Sequence, residues 1–231
     1  IVSKIEGDKY SLIGEAIYEW PLWGGKFTTG MKHNQATMDN IYQGDALTKV
    51  SMKTAETSLF AEYQSKVKKL NYTLGIGAMR TFYSQGDAKQ EKYIFRPTLN
   101  LSYSLGKVFL RYNASLSGYA PSLSELSDVE QPMDAYQVRR GNPDLKSVTY
   151  FTNWLSASYR AKGISAEVSA RYNYDHKPIM EETLYENGMF VRTYDNQKAF
   201  HRLNFQANLQ LQPFKQYVSI KLNPYFNRYV S

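Results

Sequence analysis

The stretch HRLNFQANLQLQ, residues 201–212, alternates between polar and apolar side chains along almost its whole length. A period of two is the pattern of a β-strand whose two faces meet different surroundings. Either the apolar face packs on a protein core and the amides meet bulk water, or the apolar face meets lipid and the amides line a hydrated interior. The apolar set is Leu203, Phe205, Ala207, Leu209 and Leu211, and the polar set is Arg202, Asn204, Gln206, Asn208, Gln210 and Gln212.

The composition excludes several classes of protein. The 231 residues are enough for one large all-β domain or two small ones. No cysteine is present, which excludes disulfides, zinc–thiolate sites and thiol nucleophiles. No apolar run approaches the ~18 residues that a transmembrane helix needs. The net charge of +7 comes from basic residues spread along the chain without a nucleic-acid-binding motif, so we expect no nucleic acid as a partner.

The same alternation recurs through the whole chain. Residues 93–105, 108–117 and 164–175 place apolar side chains on one parity and polar side chains on the other. No segment shows a helical periodicity longer than about two turns. The sequence therefore predicts an all-β chain of about ten strands, near residues 10–20, 25–37, 48–65, 72–84, 92–105, 107–118, 147–160, 163–184, 188–211 and 214–230.

The connections between these strands alternate in length. Outer-membrane barrels have tight periplasmic turns, long extracellular loops and strands of at least about 9 to 11 residues. The pattern therefore favours an antiparallel up-and-down transmembrane β-barrel, in which the short turns cluster at one end and the long loops at the other. The short turns are at 21–25, 66–71, 106–107, 161–163 and 212–214, the longer connections are at 34–47, 84–91 and 119–146, and a hairpin tip lies near 186–188.

Aromatic residues sit beside the short turns, where amphipathic rings prefer the headgroup level of a membrane. The high β-propensity of tyrosine and tryptophan is the other explanation. A soluble or cell-surface β-sandwich, acting as a ligand-binding or adhesion module, remains the alternative fold. It would enclose residues such as Leu99, Leu101, Phe205 and Leu209 between two sheets, whereas a barrel places them together on its convex outer surface. The predicted girdle is Tyr18, Trp20, Trp23, Tyr72, Tyr103, Tyr159, Phe214 and Tyr217.

The longest connection carries the most specific motif. It reads YAPSLSELSDVEQPMDAYQVRRGNPDLKSVTYFTNWLSASY, residues 119–159, and it resembles the barrel of TonB-dependent outer-membrane receptors. That family continues Gly-Asn-Pro-x-Leu with Pro-Glu, where this chain has Lys146 and Ser147. The resemblance covers roughly residues 90–230 and also includes the tract Lys177–Pro178–Ile179 and Asn196. The motif positions are Pro121, Ser122, Leu126, Pro132, Asp134, Gly141, Asn142, Pro143 and Leu145.

The resemblance implies a function in transport. Such a receptor lies in the Gram-negative outer membrane among its lipids, binds a small nutrient at extracellular loops and imports it with energy coupled through the TonB complex. It is not an enzyme and needs no cofactor. A plug domain outside this chain would contact TonB. Whether a surface lipoprotein covers the barrel is left open, and so is the identity of the nutrient.

The chain is expected to be one partial barrel domain, residues 1–231. The resemblance implies a 22-stranded barrel, of which about ten strands would lie here. Its first residues, IVSKIEGDKY, have neither an initiator methionine nor a signal-peptide pattern, as expected of a piece of a longer protein. A cut barrel exposes two strand edges, near 10–20 and 214–230. We expect these edges to be filled by further strands, by each other or by a neighbouring copy.

Four residues of the longest loop are candidates for ligand contact. Tyr119 and Tyr136 could stack on a planar ligand face, as could Tyr42 in an earlier loop, although loop packing explains them as well. Arg139 and Arg140 could pair with an anionic ligand. In the same loop, Gly141 permits a positive φ and Pro143 biases Asn142 to extended geometry, so that Gly-Asn-Pro would turn the chain sharply back into the barrel wall.

Catalytic signals are weak. None of the three histidines lies in a G-x-S-x-G or H-x-x-x-H context. The neighbours Asp175 and His176 are more often a surface pair than half of a catalytic triad. Glu181, Glu182 and Glu186 form an acidic cluster near the hairpin tip without the spacing of a calcium loop. We therefore expect no enzyme, no metal site and no cofactor.

Overall fold

The computed structural model describes residues 4–43, 47–85, 88–213 and 218–230. Twelve strands form one antiparallel sheet, and four more form a small second sheet. One short helix, α1 (Leu123–Leu126), lies in the long loop. The strands are β1 (Lys4–Leu22), β2 (Gly25–Gln43), β3 (Leu47–Val67), β4 (Leu70–Gln85), β5 (Ala88–Phe95), β6 (Thr98–Leu105), β7 (Val108–Tyr119), β8 (Gln131–Pro132), β9 (Gln137–Arg139), β10 (Val148–Ala161), β11 (Ile164–His176), β12 (Ile179–Glu186), β13 (Met189–Asn196), β14 (Phe200–Leu211), β15 (Ile220–Leu222) and β16 (Tyr225–Val230).

The large sheet has the up-and-down order that the sequence predicts. Its path is β1-β2-β3-β4-β6-β7-β10-β11-β14-β15, with β5 also on β4 and β16 also on β14. The twelve strands therefore occupy ten positions, which confirms the predicted all-β antiparallel architecture and its strand number. We call this sheet the wall.

The short turns lie side by side at one end of the wall, as predicted. The four that the structure describes in full are two-residue connections, and each has a residue whose carbonyl accepts a hydrogen bond from the neighbouring part of the wall. The fifth, at 212–214, extends beyond the described residues. The linking bonds run from Tyr63 Oη to Trp23 O (3.2 Å), Ser104 N to Lys69 O (3.2 Å), Arg160 N to Lys107 O (3.0 Å) and Gln212 N to Gly163 O (2.7 Å).

Two of the three predicted long connections are mostly strand. Residues 34–43 continue β2, and residues 84–85 and 88–91 belong to β4 and β5. The prediction of open loops at 34–47 and 84–91 was therefore wrong. The strands of the wall are longer at this end than a membrane-spanning strand needs to be. Beyond a membrane both faces of a strand meet water, so the apolar alternation that marks a strand is lost there.

Two predicted strands are each interrupted by a proline without a change of register. Ala78 pairs with Phe95 before the break at Pro97, and Gly75 pairs with Thr98 after it. The last strand is interrupted in the same way at Pro224, between β15 and β16. Proline has no N–H to donate, so a ladder hydrogen bond is lost although the strand continues.

The predicted strands 163–184 and 188–211 each divide between the two sheets. β11 and β14 stay in the wall, whereas β12 and β13 form a hairpin that leaves it and pairs with β9. Lys177 has a φ of 55° at the branch point, immediately before Pro178. At the predicted hairpin tip, Asn187 and Gly188 both have a positive φ, as a type I′ turn requires.

The wall separates apolar from polar side chains by face. Leu101 pairs with Tyr72 and Tyr112, while its neighbour Asn100 pairs with Thr73 and Asn113. The same holds for β14, where Leu209 aligns with Ala166 and Leu222, and Asn208 with Glu167. The predicted segregation of Leu99, Leu101, Phe205 and Leu209 from Asn100, Ser102, Gln206 and Asn208 is confirmed.

The apolar face is the exposed one. Leu74, Ile76, Leu155 and Val168 are 51–55% exposed, and no second sheet covers them in the described part of the chain. On β4 the opposite face holds Met79 and other less exposed residues. A sandwich would bury the aliphatic residues and expose the polar ones. The sandwich alternative is therefore wrong, and we call the apolar face the outer face and the polar face the inner face.

Aromatic rings line the short-turn end of the outer face. Trp20 contacts Tyr18 and Phe27, with ring centroids 5.1 and 4.6 Å away. Tyr63 and Tyr72 form a further pair at 6.1 Å. This arrangement agrees with the predicted girdle and adds Phe27 and Tyr63 to it. The predicted members Phe214 and Tyr217 lie outside the described residues.

The two edges of the wall do not pair with each other. Among the described residues β1 pairs with β2 alone, and β15 and β16 pair with β14 alone. Tyr10 and Tyr225 on these edge strands are 71% and 78% exposed. Closure into a narrower barrel, one of the three expected outcomes, is therefore not observed.

Candidate functional site

A small hydrophobic core holds the long loop against the inner face. Leu126 and Leu145 are 2% and 1% exposed and pack with Tyr83 from β4, while Ile179 and Tyr194 of the small sheet lie against them. Leu126 ends the first half of the loop motif and Leu145 ends the second. The motif therefore marks the residues that fold the loop over the long-connection end of the wall.

The first half of the motif is a capped helical turn. Ser122 accepts hydrogen bonds from the backbone N–H groups of Glu125 and Leu126 through its carbonyl oxygen. The Glu125 carboxylate returns to Ser122, accepting from its N–H at 2.7 Å and from its hydroxyl at 2.6 Å. The contact from the Glu125 carboxylate to Ser122 N–H is the glutamate half of a capping box, and it positions Leu126 in the core.

The Gly-Asn-Pro segment docks onto that turn. Gly141 N donates to Ser127 O at 2.7 Å, and Asn142 N donates to Glu125 O at 2.6 Å. A Cβ on Gly141 would lie 2.5 Å from Ser127 O and 2.6 Å from Glu125 O. Gly141 does not adopt the positive φ that a glycine permits. Glycine is required here because two backbone segments approach too closely for a side chain.

Asn142 and Asn196 connect the loop to the small sheet. The Asn142 amide donates to Tyr194 O at 3.0 Å, and its side-chain oxygen accepts from Asp144 N. The Asn196 amide donates to Lys146 O at 3.0 Å and to Lys177 O at 2.9 Å, and its oxygen accepts from Lys146 N at 2.6 Å. Gly-Asn-Pro is therefore more than a turn, because it joins loop, wall and small sheet.

Tyr83 is closer than Arg80 to the long-loop end of β4. The outer face is already polar at Arg80, so Tyr83 lies beyond the apolar band of the wall. Burial raises the pKa of Tyr83 to about 12, and the Asp128 carboxylate adds to this shift. The phenol therefore stays neutral at physiological pH. A neutral ring suits its place beside Leu126 and Leu145.

Arg139 and Arg140 pair with acidic residues of the chain itself. Arg140 lies 3.1 Å from Glu186 and 3.3 Å from Glu130. Arg139 lies 3.8 Å from Glu181, which also contacts Arg192. The acidic cluster predicted at the hairpin tip thus balances the charge of the predicted arginines.

The two predicted tyrosines differ in environment. Tyr119, at the end of β7, is 45% exposed, and its ring centroid is 6.5 Å from that of Tyr150. Tyr136 is 71% exposed, and within the described ranges its contacts are through the backbone, with its carbonyl accepting from Phe190 N and its N–H donating to Asp134. In the described part of the chain, the contacts found for the four predicted residues are with other residues and not with one another. The side chain of Tyr42 lies outside the described residues.

The remaining chemical signals do not assemble into a site. Asp175 and His176 are consecutive strand residues and point to opposite faces, and His176 contacts Tyr174 instead. Among the residues that the structure describes, no three His, Cys, Asp or Glu side chains are grouped to hold a metal ion. No helix in the described ranges is long and apolar enough to cross a membrane.

The inner face carries polar and charged side chains that the sequence motifs did not reveal. Arg111 lies over the ring of Trp154, 5.1 Å from its centroid, and 3.4 Å from Glu167. Asn113 and Asn100 are hydrogen bonded beside them. These residues come from strands distant in sequence, and their only common signal is the polar parity.

Comparison with known proteins agrees with this geometry. The model of the outer membrane protein beta-barrel family matches residues 4–231. The copper transporter OprC superposes with a TM-score of 0.78 at 10% identity, over 98% of this chain and 39% of OprC. No curated protein matches the chain significantly.

Two further structures show the same fold. The ferric enterobactin receptor PfeA of Pseudomonas aeruginosa superposes with a TM-score of 0.69 at 18% identity, over 94% of this chain and 35% of PfeA. The siderophore receptor PirA of Pseudomonas aeruginosa gives a TM-score of 0.59 at 14% identity, over 97% and 51%. The chain therefore spans between about a third and a half of these proteins. The predicted barrel resemblance is confirmed.

Proposed function

We propose, from the premise that the chain belongs to the outer membrane protein beta-barrel family, that it forms part of a TonB-dependent receptor that imports a scarce nutrient. Family and fold place the chain in the outer membrane of a Gram-negative cell. Binding of a nutrient and coupling to TonB are the steps that we add.

The observation that carries the proposal is that the wall exposes its apolar side chains and turns its polar side chains inward. Aliphatic residues such as Leu155 and Val168 are the exposed ones, as a lipid-facing surface requires. The inner face is polar, and the loop closed by Leu126 and Leu145 folds over one end of it. A hydrated wall beneath a folded loop suits selective passage of a solute.

We further propose that the chain is a single partial barrel domain whose open edges pair with additional strands. Unpaired backbone groups at membrane depth cost several kcal/mol each, and β1 and β16 present such edges. The similar structures are longer than this chain, which supports the proposal. A plug domain in another part of the protein would contact the TonB complex.

The four loop candidates have different proposed roles in capture of the nutrient. Tyr136 offers an exposed ring that contacts no other side chain in the part of the chain that the structure describes, and Tyr119 offers a half-covered ring. Arg139 and Arg140 are held by Glu181 and Glu186, so an anionic nutrient must displace these carboxylates to reach them. We propose Tyr119 and Tyr136 as the first contacts. A surface lipoprotein that covers the loops is the further partner that we propose.

Growth on a limiting nutrient tests the proposal. Cells that depend on this protein should be supplied with a panel of metal complexes, including ferric enterobactin and copper, the ligands named for the similar structures. We expect a growth advantage on one supply that disappears when TonB is deleted. A growth advantage of equal size without TonB would contradict energy coupling through TonB.

A further inference from the structure

A groove on the inner face contains two arginines, Arg171 and Arg202, that have no ion-pair or hydrogen-bond partner among the described residues. It has a volume of about 510 Å³ and is lined by residues of β10, β11, β14 and β16. Arg171 pairs in register with Asn204, and Arg202 with Asn173. The two arginines are therefore diagonal neighbours on one face, close enough for both side chains to reach one ligand. We call this feature the arginine groove.

The arginine groove has no ion-pair partner among the described residues, and Asp175, the next acidic residue on the same face of β11, forms no ion pair with either arginine. No carboxylate among the described residues forms an ion pair with Arg171 or Arg202. The nearby Glu167 is engaged with Arg111, 3.4 Å away. In addition, Arg202 Nε is shielded from solvent and has no hydrogen-bond partner in the described part of the chain. Adjacent like charges and an unsatisfied buried donor both cost free energy, and an anion would relieve both.

The rest of the lining suits an organic anion. Trp154, Tyr225 and Tyr229 provide aromatic surfaces around the two guanidinium groups. The Asn204 amide donates to Asn227, and both residues belong to the groove lining. The other amide groups of the lining face the groove. A carboxylate matches the planar fork of a guanidinium with two parallel hydrogen bonds.

We propose that the arginine groove binds a carboxylate-bearing molecule, with Arg171 and Arg202 each donating to its oxygens. The inference rests on the hydration of the inner face and not on the identity of the nutrient or on TonB. The carboxylate can belong to a free solute in the lumen or to an acidic side chain of a protein segment that occupies it.

Thermal unfolding of the detergent-solubilised protein tests the proposal, with succinate as the probe and neutral succinamide as the control ligand. The test variant is Arg171→Gln with Arg202→Gln. The matched control is Arg160→Gln with Lys162→Gln, which removes the same charge near a short turn and outside the groove lining. We expect succinate, but not succinamide, to raise the Tm of the native and control proteins.

The expected loss of affinity is about tenfold for each arginine removed, since a charge-assisted hydrogen bond contributes that much to binding. A Tm increase that requires both arginines identifies a free solute as the ligand class. The native protein can instead have a higher Tm than the test variant, a Tm no higher than that of the control variant, and no response to succinate. That result identifies an acidic protein segment as the ligand class. Equal Tm values with no response to succinate in any protein would overturn the proposal. None of these results bears on TonB-dependent growth.

Discussion

Leu126 and Leu145, which end the two halves of the loop motif, pack against each other and Tyr83 in a core formed by loop, wall and small sheet. Both are almost fully buried, in a protein whose other aliphatic side chains mostly face outward. The contact explains why two short motifs separated by a polar stretch occur together. It also indicates that the loop is a folded cap and not an open connection.

Leu145→Ala should loosen this cap without unfolding the wall. Truncating a buried leucine costs about 2–5 kcal/mol, because apolar contact is lost and a cavity remains. Hydrogen exchange should therefore speed up in residues 120–146 and stay slow in β10 and β11. Leu155→Ala, at a position 54% exposed on the outer face, is the matched control and should change neither region. Equal acceleration in loop and wall would show that they unfold as one unit.

Gly141→Ala should also destabilise the cap. The new Cβ would lie 2.5 Å from Ser127 O and 2.6 Å from Glu125 O, and both are backbone atoms that cannot rotate away. Such overpacking costs about 1–3 kcal/mol. Limited proteolysis should cleave the loop of this variant faster. Gly14→Ala, at a site with nothing within 4 Å, should behave like the native protein, and an unchanged loop in the Gly141 variant would refute the close approach.

Asn196→Ala should separate the loop from the branch point at Lys177. It removes three hydrogen bonds that join Lys146 and Lys177, each contributing about 0.5–1.5 kcal/mol. Asn196→Asp keeps the acceptor but places a carboxylate against two carbonyl oxygens, so it should be no less harmful. Cross-linking of engineered cysteines at 146 and 177 should become less efficient in both variants. Undiminished cross-linking would show that the small sheet docks without Asn196.

The sequence predicted the wall well because one physical rule governs it. A strand with lipid on one face and water on the other must alternate between apolar and polar side chains. Odd or even position in the strand was therefore enough to assign Leu101 and Asn100 to opposite faces. The extensions at residues 34–43 and 88–91 escaped prediction because both of their faces meet water. The small sheet escaped it because β9 and β13 pair through three residues that are distant in sequence.

The candidate site was predicted only in part. The loop motif located the right segment, yet Gly141 serves a close approach and not a positive φ. The partners of Arg139 and Arg140 lie on another hairpin, so no local pattern reveals them. The ligand-contact roles of Tyr119, Tyr136, Arg139 and Arg140 stay predictions.

A charge on the outer face should impair assembly into the outer membrane. Val168→Arg would place a guanidinium at a position 55% exposed on the apolar face, which costs about 2–4 kcal/mol near the bilayer midplane. Asn208→Arg, on the inner face of the neighbouring strand opposite Glu167 and outside the arginine groove, should be tolerated. The fraction of heat-modifiable, folded protein in outer-membrane preparations measures the difference. Equal assembly of the two variants would mean that Val168 does not face lipid.

Cysteine labelling at adjacent residues tests the membrane orientation of the wall most directly. The 231 residues contain no cysteine, so each engineered thiol is the only one within them. Leu209 and Asn208 are neighbours on β14, on the outer and inner faces respectively. In outer-membrane fragments, a charged maleimide should modify Asn208→Cys and leave Leu209→Cys unmodified, while a membrane-soluble maleimide should reach Leu209→Cys. Modification of Leu209→Cys by the charged reagent with protection of Asn208→Cys would contradict a lipid-facing apolar surface and a hydrated inner wall.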